Sequence, residues 1–188
     1  MNQQAIQEAV KVLKRGGTIL YPSDTIWGIG CDALNKKAIT KIYTLKQRFE
    51  RKNLIILAAS IEEVSRYVVK IPDVVPDLIA SVNRPLTIVY PEAKGLPDNL
   101  VAEDGTIGIR VVKNPFCEEL INALGRPIVS TSANISGMAA PITYSMINPY
   151  IVNGVDHIVH IRQENVTEMK ASTIIKVEYN NQFTIIRE

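Results

Sequence analysis

Pro127-Ile128-Val129-Ser130-Thr131-Ser132-Ala133-Asn134-Ile135-Ser136-Gly137 decides the plan of this chain, because a short apolar strand, Pro127 to Val129, runs directly into three hydroxyls and an amide. Ser, Thr and Asn compete with the backbone for hydrogen bonds and favour turns and caps. Clustered at the mouth of a strand, they aim donors and acceptors at whatever sits there. A strand-to-helix turn would by itself account for a Ser/Asn/Gly cluster. A polar ligand at this strand end is the functional expectation, and the rest of the chain decides between the two readings.

On the N-terminal side, Ala5/Ile6, Ala9/Val10 and Leu13 recur at helical spacing and stop at Gly16-Gly17, which predicts an opening helix with a glycine C-cap. Thr18 to Tyr21 and Ile26 to Ile29 flank Pro22-Ser23-Asp24 as strand, turn and strand. Asn35 caps a predicted helix from Lys36 to about Lys46 that buries Ala38, Ile39, Ile42 and Leu45. Leu54 to Ala59 reads as a buried strand and Ser60-x-x-Glu63 as a capping box. Pro72 and Pro76 punctuate a helical stretch to about Val82. Thr87 to Tyr90 and Thr106 to Val112 are predicted strands, and Asn114-Pro115 opens a helix that ends at Gly125. Val155 to Ile161 reads as a closing strand, followed by a hairpin of Thr173 to Tyr179 and Phe183 to Arg187 around Asn180-Asn181. Crossover helices mixed with hairpins imply an α/β (α+β) single domain over residues 1–188, its mixed twisted sheet covered by helices on both faces.

Composition bounds the function. With 46% hydrophobic residues the 188-residue chain fills one core, and no window approaches the roughly eighteen apolar residues of a membrane span. Met1-Asn2-Gln3-Gln4 lacks the basic and apolar regions of a signal peptide, so a cytoplasmic protein is expected. Cys31 and Cys117 have no C-x-x-C partner and read as small buried side chains without a nucleophilic role. Net charge is only +2, yet seven of the 21 Lys and Arg lie between Lys36 and Lys52 against the single acid Glu50.

A P-loop motif is absent. Gly28-x-Gly30-x-x-Ala33 matches the dinucleotide fingerprint by letter, but the next helix begins only near Asn35 and the region about 20 residues on is basic. These glycines are expected to let the strand pass close to a ligand or to a neighbouring segment. His157 and His160 point to opposite faces of a strand, so no protein metal site is expected. Lys46-Gln47-Arg48-Phe49-Glu50-Arg51-Lys52 leaves a helix and precedes the strand at Leu54, and its cations gather where a ligand can be met.

Four separated pieces, taken in order, resemble the YrdC family of threonylcarbamoyl-AMP synthases: Tyr21 to Ala33, Lys46-x-Arg48 with Lys52, Thr106-Ile107-Gly108-Ile109-Arg110, and Ser130 to Gly137. Asn83-Arg84-Pro85-Leu86-Thr87 fits the family's Trp-Pro-Gly-Pro-Leu-Thr segment loosely, and Ala171-Ser172-Thr173 and Ile186-Arg187 match its closing blocks. The resemblance implies a sheet with a concave, positively charged face on which a nucleotidyltransferase makes threonylcarbamoyl-AMP and pyrophosphate from L-threonine, bicarbonate and ATP with Mg²⁺. That product serves the t6A modification of tRNA, with tRNA and partner proteins of that pathway as further contacts. Carried over by motif, Lys46, Arg48 and Lys52 meet the ATP phosphates, and Thr106, Ser132, Ala140 and Arg187 line the nucleotide site. Thr25, Arg110, Ser130 and Ser172 hold threonine, and Asn134 completes a Ser-x-Asn element near the phosphates. Lys46, Arg48, Ser132 and Asn134 are the implied catalytic set. The chain departs from the pattern where Phe49 and Asn53 replace prolines and where Trp27 replaces Tyr.

The work implied is positioning and charge neutralisation, which cations and hydroxyls supply. A module that binds double-stranded RNA or tRNA without catalysis is the alternative, weakened by an aromatic content of only 6%. An NADP-dependent oxidoreductase built on Gly28 to Ala33 stands further back.

Overall fold

Helix α1 (Gln3–Lys14) buries Ala5, Ile6, Ala9, Val10 and Leu13 and stops at Gly16, whose φ of 76° lies in the left-handed region. In the computed structural model, which describes residues 3–23, 25–48, 54–160 and 171–188, strands β1 (Thr18–Pro22) and β2 (Trp27–Asp32) follow. Helix α2 (Lys36–Leu45) starts where the Asn35 side chain accepts from the Ala38 N–H. Next come β3 (Ile55–Ala58), α3 (Ile61–Val64), α4 (Val75–Ser81), β4 (Leu86–Tyr90) and β5 (Ile107–Val111). The capping box holds: Ser60 Oγ accepts from the Glu63 N–H, and Glu63 reaches back to the N–H of Ala59. Helix α5 (Pro115–Leu124) is capped by Asn114 and closed by left-handed Gly125, and β6 (Ile128–Ser132) follows. A 3₁₀ turn at Tyr144–Met146, α6 (Pro149–Gly154), β7 (His157–Ile158), β8 (Thr173–Val177) and β9 (Phe183–Arg187) complete the described elements.

The strands form one mixed sheet in the order β7-β1-β2-β6-β3-β5-β4-β8-β9. Three pairings are parallel, β1 with β7, β3 with β5 and β4 with β8, and the others are antiparallel. Alternation along the strands then sorts the side chains onto two faces. One face carries Ile29, Val129, Ile56, Ile109, Ile88 and Ile175, and packs on Ile39, Ile42 and Leu45 of α2 and on Ile151 of α6. The other carries Ile19, Tyr21, Leu57 and Ile128 under α1 and α5, with Leu13, Phe116, Leu120 and Ile121 in contact. That second pair of helices covers only part of its face, and beyond it a cavity of about 360 Å³ opens.

One expectation changes and one holds. Val155 to Ile161 is not one strand: only His157 and Ile158 pair, parallel to β1, and Ile161 lies outside the described residues. Helix α6 precedes it, unpredicted, because six residues are too few for a helical period to emerge. Gly28 and Gly30 form no phosphate-binding turn, since both sit inside β2, paired with β1 and β6. A Cβ at Gly28 would stand 3.2 Å from the Tyr21 ring, and one at Gly30 would stand 2.9 Å from the Val129 carbonyl oxygen. The close neighbour that requires glycine is therefore the chain itself.

Candidate active site

Register brings distant segments into one row. Gly28 stands opposite Ser132, Gly30 opposite Ser130, Ile55 opposite both Ser130 and Gly108, and Leu57 opposite Arg110. The hydroxyl run of β6 thus lies at the centre of the sheet. Thr25, Lys46, Arg48, Arg110, Ser130, Ser132, Asn134, Ala140, Ser172 and Arg187 all line the cavity. Thr106 does not: it precedes β5, and its hydroxyl donates to Asp104 at 2.6 Å. Lys52 and the two positions that lack the family's prolines, Phe49 and Asn53, lie outside the described residues.

The hydroxyls are buried and partly committed. Ser23 Oγ donates to the Ile26 carbonyl at 2.7 Å, so the 3.0 Å contact between Ser23 and Thr25 has Thr25 as donor, leaving Thr25 Oγ1 with acceptor capacity. Tyr21 Oη lies 2.6 Å from Ser130 Oγ, and Thr87 Oγ1 lies 2.8 Å from Ser172 Oγ. Thr25, Ser130, Ser172 and Arg110 are each under 9% exposed. Each of the three hydroxyls thus has a partner within the protein and keeps further hydrogen-bonding capacity at the cavity.

Four cations share the lining, Lys46, Arg48, Arg110 and Arg187, and the described lining residues include no carboxylate. Arg187 donates from Nε and Nη2 to the Ser172 carbonyl at 3.1 and 2.8 Å. Burial first, and Arg110 second, lower its affinity for its proton. Lys46 is the most constrained of the four. Its ammonium donates to the carbonyls of Ser132 (2.6 Å) and Asn134 (2.8 Å) and meets Asn134 Oδ1 at 3.4 Å. Burial, with Arg48 nearby, lowers its pKa to about 8. A Schellman turn presents Lys46 and Arg48 together: the Arg48 N–H bonds the Tyr43 carbonyl, the Gln47 N–H bonds the Thr44 carbonyl, and Gln47 has φ 49°. The Asn134 amide nitrogen donates to the carbonyls of Ile135 (3.1 Å) and Met138 (2.6 Å) in its own loop, while its oxygen faces Lys46.

Tyr21, Ser23 and Trp27 were missed as site-forming residues. Tyr21 carries a sequence signal, an aromatic opposite the glycines of the neighbouring strand. Trp27 lines the cavity, its buried indole N–H has no hydrogen-bond partner among the described residues, and its ring meets Tyr144 edge-on at 5.3 Å.

A family model described as "Telomere recombination", covering the Sua5, YciO and YrdC proteins, matches residues 11–188. The chain is 37% identical over 158 residues to the threonylcarbamoyl-AMP synthase of Hahella chejuensis, a match covering 84% of this chain and 86% of that one. Its fold superposes on E. coli YciO with a TM-score of 0.79 at 26% identity, covering all of this chain and 90% of the other. It also superposes on P. abyssi Sua5 complexed with L-threonine, with a TM-score of 0.83 at 25% identity over 97% of this chain. This chain spans about half the length of that Sua5 protein, 53% of it. The family match, the identity to a curated relative over most of both chains and the superposed folds agree that the chain belongs to the Sua5/YciO/YrdC family.

Proposed function

We propose that this chain is a threonylcarbamoyl-AMP synthase. The observation that carries the reading is the meeting of Thr25, Ser130 and Ser172 with Arg48, Arg110 and Arg187 around one cavity. Hydroxyls beside an arginine suit a hydroxylated amino acid, whose carboxylate takes the planar fork of Arg110. Arg48, at the end of α2, faces the polyphosphate of ATP, which enters with its Mg²⁺ as substrate. Ser132, Ala140 and Arg187 line the nucleotide side, and Lys52 joins them as a phosphate contact.

The threonine amine attacks bicarbonate carbon and water leaves, giving a carbamate. A carbamate oxygen then attacks the α-phosphorus, the bond to the β-phosphate breaks, and pyrophosphate departs with the electron pair. Neither step requires a covalent enzyme intermediate. The protein holds the reactants in line and neutralises charge that grows on the departing pyrophosphate, a task for arginines and hydroxyl donors in a walled cavity. On this reading the protein works in the cytoplasm and passes its product to partner proteins that modify tRNA.

The test is product identity. With [¹³C]bicarbonate, L-threonine and MgATP, mass spectrometry is expected to find one ¹³C in a threonine-containing adenylate. AMP or ADP as the sole nucleotide product would overturn the reading. Buried Thr25, Ser130 and Ser172 favour a small ligand over a folded RNA, which cannot reach them.

A further inference from the structure

We propose that Lys46 is a positioning residue, its ammonium tying the end of α2 to the 132–138 loop and so fixing the wall that faces the nucleotide, and that it is not itself a phosphate ligand. The inference rests on the synthase reading for its kinetic consequence and on geometry for everything else. An ammonium has three N–H donors, and Lys46 directs them at three oxygens of one loop, the Ser132 carbonyl, the Asn134 carbonyl and Asn134 Oδ1. A phosphate could gain a bond from it only by taking one from the loop.

The tie runs in both directions. The Lys46 carbonyl accepts the Ser136 N–H at 2.9 Å, and the Asn134 amide closes the loop onto Met138 at 2.6 Å. Helix end and loop thus share bonds at the Lys46 ammonium and at the Lys46 carbonyl, and the Asn134 amide braces the loop itself. Of the Lys46-x-Arg48 pair, Arg48, which also lines the cavity, is left to meet phosphate. Residues 132–138 carry no charged side chain, so they meet the ammonium through carbonyl and amide oxygens alone.

Hydrogen exchange tests this without reference to activity. The amides of Asn134, Ser136 and Met138 are bonded to Ser132, Lys46 and Ile135. In Lys46→Met at pH 7 they are expected to exchange about 10-fold faster or more, while the amides of α1 and α5 are unchanged. Lys46→Arg, whose planar fork cannot place donors on the same three oxygens, is expected to show a smaller increase at the same three sites. Should the Met variant not fold, the Arg variant carries the test. Unchanged loop exchange in Lys46→Met with a raised KM for ATP would overturn the proposal in favour of a phosphate contact. Unchanged kinetics per folded molecule would overturn it in favour of a purely structural lysine. A wild type that releases no threonine-dependent pyrophosphate, with Lys46→Met still quickening exchange at these sites, would sink the synthase reading and leave the tie standing.

Discussion

The phenol oxygen of Tyr21 lies 2.6 Å from Ser130 Oγ, at the tip of a ring that fills the space left by Gly28 and Gly30. Tyr21 is fully buried, so this bond orients the Ser130 hydroxyl from beneath the cavity floor. Tyr21→Phe keeps the ring and removes the bond. Stability is expected to fall by about 1 kcal/mol, with the KM for threonine rising about 5-fold and kcat nearly kept. Paired melting and steady-state kinetics check it, and an unchanged KM would remove Ser130 from the threonine pocket.

Gly30→Ala tests the packing that replaced the dinucleotide reading. The added methyl would lie 2.9 Å from the Val129 carbonyl, on the neighbouring strand, where backbone must shift to admit it. A loss of roughly 1–3 kcal/mol is expected in denaturant unfolding. Full retention of stability would mean that β2 and β6 have slack there.

Arg48→Lys keeps charge and loses the fork. One charge-assisted hydrogen bond is worth roughly 1.5–3 kcal/mol, so kcat/KM for ATP is expected to drop about 10-fold to 100-fold. Wild-type kinetics would assign Arg48 no directional contact.

Lys46 gives stability a pH dependence. Its pKa in the folded protein, about 8, lies below the ordinary lysine value of 10.5. Between those values the unfolded chain holds a proton that the folded protein has released, so this group makes stability rise with pH across that window. Below pH 8 the buried ammonium is a constant net cost on the order of 3 kcal/mol. Urea unfolding from pH 7.5 to 10 is expected to show the rise in the wild type and to lose it in Lys46→Met.

Caps and turns were legible because their signals are local. Asn35, Ser60 and Asn114 each accept the backbone N–H that their spacing implies. Asn148-Pro149 carries the same signal for α6, but six residues gave it no periodic partner. The site was legible as residues and not as roles. Hydroxyls and arginines at strand ends point to a polar ligand, whereas the roles of Lys46 and Asn134 depend on which oxygens the fold sets beside them. Thr106 shares its motif with Arg110, yet a carboxylate two residues away takes its hydroxyl. Which part of the sheet stays open depends on where α1 and α5 end, a tertiary fact that no single segment encodes.

Amino-acid choice follows from the buried hydroxyls. A pocket that hydrogen-bonds a hydroxyl rejects an analogue lacking it more strongly than one lacking a methyl, which costs only about 1–3 kcal/mol. Rates are expected to run threonine, then serine, then valine. Valine equal to threonine would return Thr25, Ser130 and Ser172 to structural roles.

Pyrophosphate release tests the central claim most directly. The purified protein is incubated with MgATP, with L-threonine and bicarbonate each present or omitted. Release that requires both co-substrates is the expected result, with omission of either reducing it to background. Release indifferent to threonine and bicarbonate would contradict the synthase assignment, whatever the cavity binds.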